Sequence, residues 1–382
     1  MGKGVHSAGG PAEQALCAIW LLANRTQAGT SAGTLSRTMK APHLAVVGAT
    51  GAVGREVLRV LEERDVTLLG IRPIASARSE GKTVPFRGED VPITVISDRA
   101  FDGIDLVIWD TPDEIAVEWM PKVRARAVNI DNSSAFRLWD DVPLVVPEIN
   151  PDAAHAHKGL VANPNCTMMT LVMPLAPLHR AARAHRVICS SYQSVSGAGV
   201  AGVEDLYEQL EKLLPEREAV RRGAVDLPPG RAFVHPIAFN VIPHVGSFDD
   251  AGATSEERRV ASETQKVLGS NMEIFATAVR VPTVVGHGIS AWVEFERPID
   301  ADEARTILRA ADGVTLEDDP TTGRYPTTLQ SSGIDKAIVG RVRNDPANTN
   351  ALGFFSACDN LRKGAALNAV QIAELLIDKN WL

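Results

Sequence analysis

The chain has 382 residues, of which 45% are hydrophobic and 23% charged, and its formal net charge is −8. This length favours two or three domains with an ordinary globular composition, and the acidic balance without a basic block argues against nucleic-acid binding. The four cysteines are scattered, which argues against a disulfide framework or a structural zinc site and favours a reducing, cytoplasmic setting. We therefore expect no metal, no nucleic acid and no membrane as partners.

Residues 1–38 are predicted to lie outside the fold, as a disordered extension or a start assigned too early, with the true beginning near Met39. They are rich in Gly, Ala, Ser and Thr. Their apolar run, Ala15 to Ala23, is too short to cross a bilayer. A signal peptide is the alternative, but acidic Glu13 precedes the run and the charge before it is slight.

The first element of the fold is a strand over His43–Val47, followed by a glycine turn over Gly48–Gly54 and a helix to about Arg64. Glycines let a backbone turn tightly and approach a pyrophosphate, and a helix N-terminus supplies N–H donors. The spacing GxxGxxG varies the usual dinucleotide fingerprint, but strand, turn and helix stand in the required order. The sequence therefore predicts a dinucleotide site.

The second predicted strand, Val66 to Ala75, bears on the choice of cofactor. An NAD site places an acid at the end of this strand to bond the ribose 2′-hydroxyl. Here no acid precedes Glu80, whereas Arg78 and the neighbouring hydroxyls could hold a 2′-phosphate. This favours NADP, although a solvated surface arginine remains the alternative for Arg78 taken alone.

The alternation of strand and helix then continues, which predicts a mostly parallel sheet with ligands at its carboxyl edge. The predicted strands are Val91 to Ile96, Ile104 to Trp109 and Ala127 to Ile130, and the predicted helix is Glu114 to Val123. Arg137 lies in the loop that leaves the last of these strands. A lone loop arginine is usually solvated, yet this one is well placed to bind a phosphate.

Cys166 falls where a helix can begin, because the strand Leu160–Ala162 stops at the turn formers Asn163-Pro164-Asn165. Unpaired N–H groups and the helix dipole at that place predict a lowered thiol pKa. The alternative is simple packing, since cysteine is often buried. Pro174 and Pro177 predict a kink or an early end to this helix.

The rest of the chain is predicted to supply a second group of strands and helices. The predicted elements are a strand from Arg186 to Val195 carrying Gln193, a helix from Val203 to Leu214, a buried segment from Ala238 to Val245, a capped helix starting at Thr254, paired antiparallel strands at Ile274–Val285 and Ile289–Phe295, a strand from Ala351 to Ala357, and a helix from Leu361 to Ile377. His287 is placed in a tight turn between the paired strands. The small-residue turn after Gln193, Ser196 to Gly199, suggests either packing or close approach to a cofactor.

These segments together resemble the aspartate-semialdehyde dehydrogenase family, from Met39 to the C-terminus. The motifs that carry the resemblance are GATGAVG, ASARS, DNSSAFR, VVPEIN, NPNCT, YQSVSGAG, AFNVIP, EERRVASET, RVPTVVGH and DNLRKGAALNAVQIAE. The resemblance implies an α/β protein with a Rossmann-like dinucleotide-binding domain and an α+β catalytic and dimerisation domain with a mixed sheet. It places residues 39–165 with 355–382 in the NADP-binding domain and 166–354 in the catalytic domain.

The resemblance also implies roles for individual residues. Cys166 is the nucleophile, His287 the acid/base and Gln193 the residue that orients the substrate. Arg280 and Glu257 bind the substrate carboxylate and ammonium groups. Arg137 and Arg259 bind phosphate, although the family usually has Lys at the second position. The residues expected to bind the cofactor are Thr50, Gly51, Ala52, Val53, Arg78, Ser79, Ser196, Gly197 and Asn360.

The implied reaction is the reversible, NADP-dependent reduction of aspartyl phosphate to aspartate 4-semialdehyde and inorganic phosphate, through a cysteine thioester, in lysine, threonine and methionine synthesis. The implied assembly is a homodimer. One alternative is a reductase of N-acetylglutamyl phosphate, which Glu257 argues against because an acetylated amine carries no charge. A second alternative is a non-catalytic NADP-binding sensor.

Overall fold

The structure is a computed structural model that describes residues 41–225 and 230–382. The predictions for residues 1–38 lie outside the described residues. The helices are α1 (Ala52–Glu63), α2 (Asp113–Val123), α3 (Cys166–Ala182), α4 (Gly199–Leu213), α5 (Arg217–Arg221), α6 (Ser255–Leu268), α7 (Ala301–Ala310), α8 (Thr328–Ser331) and α9 (Leu367–Lys379). Within the described residues, no helix is long and apolar enough to cross a membrane.

The first half of the chain builds a parallel sheet. Its strands are β1 (His43–Val47), β2 (Gly70–Ala75), β3 (Thr83–Phe86), β4 (Glu89–Pro92), β5 (Thr94–Val95), β6 (Leu106–Trp109), β7 (Val128–Asp131) and β8 (Leu160–Ala162). Six of them pair in the order β5-β2-β1-β6-β7-β8, and every pairing is parallel. This doubly wound arrangement confirms the predicted Rossmann-like fold, with its ligand edge at the carboxyl ends of the strands.

One predicted strand of this half is wrong in its extent. The run from Val91 to Ile96 divides into β4, which forms a separate hairpin with β3, and the short β5 at the edge of the sheet. Pro92 ends β4, because proline has no N–H with which to continue a ladder.

Helix α1 packs on the sheet through Val57, Val60 and Leu61, which are fully buried. The C-terminal helix α9 contributes Leu367 and Val370 to the same hydrophobic core. A π-helical turn, Arg362–Ala366, leads into α9. The two ends of the described chain thus share one core around the parallel sheet.

The second half builds a mixed sheet, as predicted. Its strands are β9 (Ala184–Gln193), β10 (Glu273–Arg280), β11 (His287–Phe295), β12 (Val314–Leu316), β13 (Ala337–Asn344) and β14 (Ala351–Cys358), in the order β10-β9-β11-β14-β13-β12. Strand β10 runs parallel to β9, whereas β11 is antiparallel to both β9 and β14.

The predicted pairing of residues 274–285 with 289–295 is wrong, because β9 lies between β10 and β11. The connecting residues 281–286 cross the end of β9, where the carbonyls of Thr283 and Val284 accept the N–H groups of Val195 and Ser196. His287 is consequently the first residue of β11 and not a turn residue. Gly286, at φ +90°, makes the bend before it.

Helix α3 continues unbroken through both of its prolines, so the expected kink or early end is wrong. Proline at 174 has no N–H for the carbonyl of Thr170, four residues earlier. The hydroxyl of Ser356, on β14, donates to that carbonyl instead, at 2.7 Å. Burial of α3 in the core that joins the two sheets favours helix where local propensity does not.

The segment from Ala238 to Val245 is not buried as a whole, which corrects the prediction. Ala238 and Ile242 point inward, and Ile242 forms an antiparallel bridge with Arg280. Phe239 and Val241 are 56% and 59% exposed. Phe239 lies in a turn with φ +57°, and residues 239–241 are all exposed, so this run reaches the core only through Ala238 and Ile242.

Candidate active site

Cys166 is the first residue of α3, as predicted, and the residue before it caps the helix. The side-chain oxygen of Asn165 accepts the N–H groups of Thr167 at 2.8 Å and Met168 at 3.1 Å. Asparagine is among the best N-cap residues because it satisfies these otherwise unpaired donors. The cap fixes the thiol at the start of the helix.

His287 lies beside this thiol, with Nε2 3.4 Å from the sulfur of Cys166. Its other ring nitrogen, Nδ1, accepts the backbone N–H of Ser194 at 3.1 Å. The imidazole is fully buried at the start of β11. Residues 121 positions apart in the chain thus lie within the distance that a nucleophile and its base require in covalent catalysis.

The predicted lowering of the thiol pKa is wrong for the ligand-free protein. Burial, and after it the nearby carboxylate of Glu256, raise the pKa of Cys166 to about 11, although Arg137 and Arg280 act in the opposite direction. Desolvation disfavours the charged thiolate relative to the neutral thiol.

Burial also lowers the pKa of His287 well below its ordinary value, and the adjacent positive charge of Arg280 lowers it further. A neutral imidazole and a neutral thiol are therefore the resting forms at neutral pH. With Nδ1 accepting from the backbone, the proton of the neutral ring resides on Nε2.

Gln193 and Arg280 come together because they end adjacent strands. They are partners in the register of the parallel strands β9 and β10, so both lie at the same carboxyl edge. Arg280 donates to the carbonyl of Ser194 at 2.6 Å, and its guanidinium lies 5.7 Å from the ring centre of Phe233. Gln193 donates to Glu256 at 2.8 Å and also contacts the hydroxyl of Thr167.

Of the adjacent residues Glu256 and Glu257, the structure places Glu256 in the lining of the cavity. Glu257 completes a capping box with Thr254 and accepts the N–H of Ala278 at 2.9 Å, so its carboxylate is used structurally. Glu256 lines the cavity and accepts donors from Asn165, Thr167 and Gln193. Adjacent residues on a helix point about 100° apart, so only one of the two can face the thiol.

The two arginines predicted to bind phosphate line the same cavity. Arg137 is buried and donates to Glu263 at 3.1 Å and to the carbonyl of Asn132 at 2.7 Å, while its Nε has no partner. Arg259 donates to the hydroxyl of Ser134 at 3.0 Å and is about one-third exposed. A buried guanidinium with a free donor is well suited to an anion.

Glu263 was not predicted from the sequence as a site residue. It is buried on α6 and bonds to residues on two sides of the cavity. One carboxylate oxygen accepts from Arg137 and the other accepts the backbone N–H of Asn165 at 2.7 Å. The signal was present in the spacing: Glu256, Arg259, Glu263 and Lys266 recur at helical intervals and so share one face. Lys266 donates to three carbonyls of the loop at residues 137–142.

Cys166 also lines a second cavity, next to the first. Of the residues predicted to bind cofactor, Ala52, Val53, Ser196, Gly197 and Asn360 line it. Thr50 and Ser79 lie further along the carboxyl edge of the parallel sheet, with their hydroxyls 3.4 Å apart, and Arg78 is exposed there. A dinucleotide can therefore extend from the exposed Arg78 to the thiol.

The glycine turn fits a dinucleotide on conformational grounds. Gly48 has φ +86°, and a side chain there would collide with the backbone of Asp110. The N-cap residue of α1, Gly51, has no capping side chain, so a ligand can bind N–H groups at the start of this helix. Asp110, which the sequence did not single out, accepts the N–H of Gly54, and burial raises its pKa to about 6.

Gly197 has a role that the packing interpretation did not foresee. A methyl group at this position would lie 2.8 Å from the guanidinium of Arg280 and 3.3 Å from the imidazole of His287. Gly197 therefore leaves room for both side chains, and it also lines the second cavity.

Comparison with known proteins identifies relatives of both halves. A family model described as semialdehyde dehydrogenase, NAD binding domain, matches residues 43–157, and one described as semialdehyde dehydrogenase, dimerisation domain, matches residues 175–363. An aspartate-semialdehyde dehydrogenase from Aquifex aeolicus is 41% identical over 344 residues, covering 89% of this chain and 99% of the relative.

Two solved structures extend the comparison. The aspartate semialdehyde dehydrogenase II of Vibrio cholerae complexed with ASA is 38% identical, has a TM-score of 0.83, and covers 89% of this chain and 99% of its own. An aspartate semialdehyde dehydrogenase with NADP from Candida albicans is 21% identical, with a TM-score of 0.69 and coverage of 90% and 100%, and shows the shared fold.

Proposed function

Because the chain belongs to the aspartate-semialdehyde dehydrogenase family, and is an enzyme of that family, we propose that it interconverts aspartyl phosphate and aspartate 4-semialdehyde through a thioester on Cys166. The observation that carries this proposal is the 3.4 Å approach of the sulfur to His287 in a cavity that also contains Arg280 and Arg137. Nucleophile, base, carboxylate ligand and phosphate ligand are then within reach of one small molecule.

The cofactor of the proposed reaction is NADP, bound along the carboxyl edge of the parallel sheet. The turn at residues 50–53 would hold the pyrophosphate, Arg78 and Ser79 the 2′-phosphate, and Ser196, Gly197 and Asn360 the nicotinamide end. The exposed guanidinium of Arg78 and the absence of an acid before Glu80 support NADP over NAD. When bound, the nicotinamide accepts or supplies the hydride.

The substrate is proposed to lie between Arg280 and Glu256. The guanidinium of Arg280 would bind the α-carboxylate, for which its planar fork is suited. The carboxylate of Glu256 would meet the α-ammonium group. This assigns to Glu256 the role first expected of Glu257.

In the oxidative direction, the sulfur of Cys166 adds to the aldehyde carbon as the thiol proton passes to Nε2 of His287. To accept that proton, the ring must carry its own proton on Nδ1, which is the opposite tautomer to the resting one. The raised thiol pKa and the neutral imidazole imply that the proton moves within the complex rather than before substrate arrives. Attack converts the flat aldehyde to a tetrahedral thiohemiacetal, whose alkoxide the Nε2 proton can stabilise. Loss of hydride then leaves a thioester on Cys166.

The second half of the reaction transfers the acyl group from sulfur to phosphate. Arg137 and Arg259 would position inorganic phosphate, whose oxygen adds to the thioester carbon as the thiolate leaves. The unpartnered Nε of buried Arg137 supports this assignment. Arginine at 259 keeps the positive charge of the usual lysine and adds planar, two-point geometry.

We propose that the enzyme acts as a homodimer in the cytoplasm, supplying lysine, threonine and methionine synthesis. The match of residues 175–363 to a dimerisation domain supports the dimer. The open face of the second sheet carries Ile188 and Tyr192 on β9 and Phe275, which is 70% exposed, on β10. The proposed domains are residues 39–165 with 355–382, and 166–354.

The decisive experiment assays the purified protein with aspartate 4-semialdehyde and with N-acetylglutamate semialdehyde, each with phosphate and either NADP or NAD. We expect phosphate-dependent NADPH formation with the free amino acid substrate. Preference for the acetylated substrate would overturn the substrate assignment, and cofactor binding without turnover would favour the sensor. Preference for NAD would overturn the role of Arg78.

A further inference from the structure

The imidazole of His287 meets two different groups of one residue. Its Nδ1 lies 3.1 Å from the backbone nitrogen of Ser194 and also 3.1 Å from the hydroxyl oxygen of Ser194. Both groups are buried, and both contact Nδ1, whereas the other ring nitrogen, Nε2, approaches Cys166. A backbone N–H can only donate, whereas a hydroxyl can donate or accept, so the two groups suit different protonation states.

The backbone N–H of Ser194 suits the neutral ring. It donates to Nδ1 and so directs the proton of neutral His287 to Nε2, which faces the sulfur of Cys166. A nitrogen that already carries a proton cannot accept another, so Nε2 can take the thiol proton only in the tautomer whose ring proton lies on Nδ1, and the resulting imidazolium carries both protons. The backbone N–H then has no acceptor at Nδ1, and the ring needs an acceptor of its own.

The hydroxyl of Ser194 is oriented to be that acceptor. It donates its own proton to Oδ1 of Asn360 at 3.0 Å, which leaves oxygen lone pairs for Nδ1. The orientation of the Asn360 amide is set independently, because the same Oδ1 accepts the N–H of Gly286 at 2.9 Å. The acceptor of the Ser194 hydroxyl is therefore held in place whether the imidazole is neutral or charged.

The surroundings of His287 make such an acceptor necessary. The charged or titratable groups that face it are Cys166 from α3 and Arg280 from β10, with Arg137 and Glu256 lining the same cavity. Cys358 is its partner in the register with β14. Among the described residues no carboxylate hydrogen-bonds the ring, so Coulomb attraction does not stabilise the imidazolium directly.

We propose that the Ser194 hydroxyl is a positioning residue that accepts the Nδ1 proton of His287 and so allows the buried imidazole to take a proton at Nε2. The inference rests on the proposed acid/base role of His287. Ser194 itself touches neither substrate nor cofactor in this account; it acts only through the histidine.

The test compares Ser194→Ala with the wild-type enzyme, using aspartate 4-semialdehyde, NADP and phosphate. The variant keeps the backbone N–H and loses only the hydroxyl. We expect kcat to fall about tenfold or more, the magnitude of one lost positioned hydrogen bond to a charged group. Both Michaelis constants should stay within about twofold, because ground-state binding is untouched.

The pH profile separates this role from general loosening of the site. Without the acceptor the imidazolium is less stable, so the acidic limb of kcat/KM should move to lower pH by about half a unit or more. Ser191→Ala is the matched control, because it removes a buried hydroxyl three residues earlier, on β9, that accepts the N–H of Val279. The control should show the wild-type profile.

An unchanged rate and pH profile in Ser194→Ala would overturn the inference, as would an equal effect in Ser191→Ala. If Ser194→Ala does not fold, Ser194→Cys keeps the volume with a weaker acceptor and should show the same shift. His287→Asn tests the acid/base role of His287 separately from the role of Ser194. Full activity in His287→Asn refutes the acid/base role itself, whereas its loss together with a normal Ser194→Ala profile refutes only the role of Ser194.

Discussion

The backbone N–H of Asn165 donates to the buried carboxylate of Glu263 at 2.7 Å, one residue before the proposed nucleophile. The other oxygen of that carboxylate accepts from Arg137 at 3.1 Å. Glu256, seven residues earlier on α6 and therefore on the same face, binds the side chain of Asn165. One helix face thus holds both Arg137, the proposed phosphate ligand, and the residue next to the sulfur.

Replacing Glu263 by Gln should impair the phosphate half-reaction most. An amide has one acceptor oxygen and presents an NH₂ group to the second donor, so either Arg137 or Asn165 loses its partner. We expect KM for phosphate to rise about tenfold and stability to fall by about 1–3 kcal/mol, as for a buried unsatisfied donor. Rapid mixing should still show a burst of NADPH, because hydride transfer precedes the use of phosphate.

Ser262→Ala is the control for this experiment, since Ser262 is on the same helix and only bonds the carbonyl of Arg258. Its phosphate dependence should be that of the wild type. Loss of the burst in Glu263→Gln, with KM for phosphate unchanged, would contradict the expected role.

Glu256→Gln should mainly weaken substrate binding, whereas Glu257→Gln should mainly lower stability. Glu256 faces the cavity, so its loss should raise KM for aspartate 4-semialdehyde by about 10- to 100-fold, the range for a lost charge contact. Glu257 only caps α6 and bonds Ala278, so its loss should cost about 1 kcal/mol of stability with a normal KM. Steady-state kinetics and thermal unfolding of both variants decide this, and a raised KM in Glu257→Gln alone would restore the original assignment.

The thiol of Cys166 should react slowly with iodoacetamide at neutral pH in the ligand-free enzyme. Its pKa is raised to about 11 by burial, so the thiolate fraction is small and increases with pH. We expect the alkylation rate to rise about tenfold per pH unit from pH 7 to 9, the slope for a group well below its pKa.

Cys166→Ala is the control, because it measures the alkylation of the other three cysteines, Cys17, Cys189 and Cys358. Of these, Cys189 and Cys358 are buried and should react little in the folded protein. The variant should lose turnover and keep cofactor binding. A rate that is already constant above pH 7 would show a lowered pKa and vindicate the expectation drawn from the helix terminus.

Arg78→Ala should weaken NADP binding about tenfold or more and leave NAD binding nearly unchanged, since only NADP has the 2′-phosphate. Fluorescence titration with the two reduced cofactors measures both affinities. Arg309→Ala removes another exposed arginine, on α7, and should change neither. An equal loss for both cofactors would indicate that Arg78 contributes only a general positive field.

The local features of this protein could be predicted from the sequence. The glycine turn, the helix start at Cys166 and the capping box at Thr254 depend on residues within one or two turns of each other, and all three are present. Ordered motifs along the chain also identified the family. These features follow from short-range backbone conformation, which neighbouring residues largely determine.

Tertiary structure decided what depends on residues far apart in the chain. The helix continues past Pro174 because Ser356, from β14, satisfies a freed carbonyl. The strand β9 enters between two segments that pattern alone would pair. The thiol pKa rises because burial removes water from a helix terminus, and Glu263 acts by joining residues 98 and 126 positions away. Desolvation and long-range hydrogen bonds have no periodicity along a chain, so they became visible only once the fold had brought those residues together.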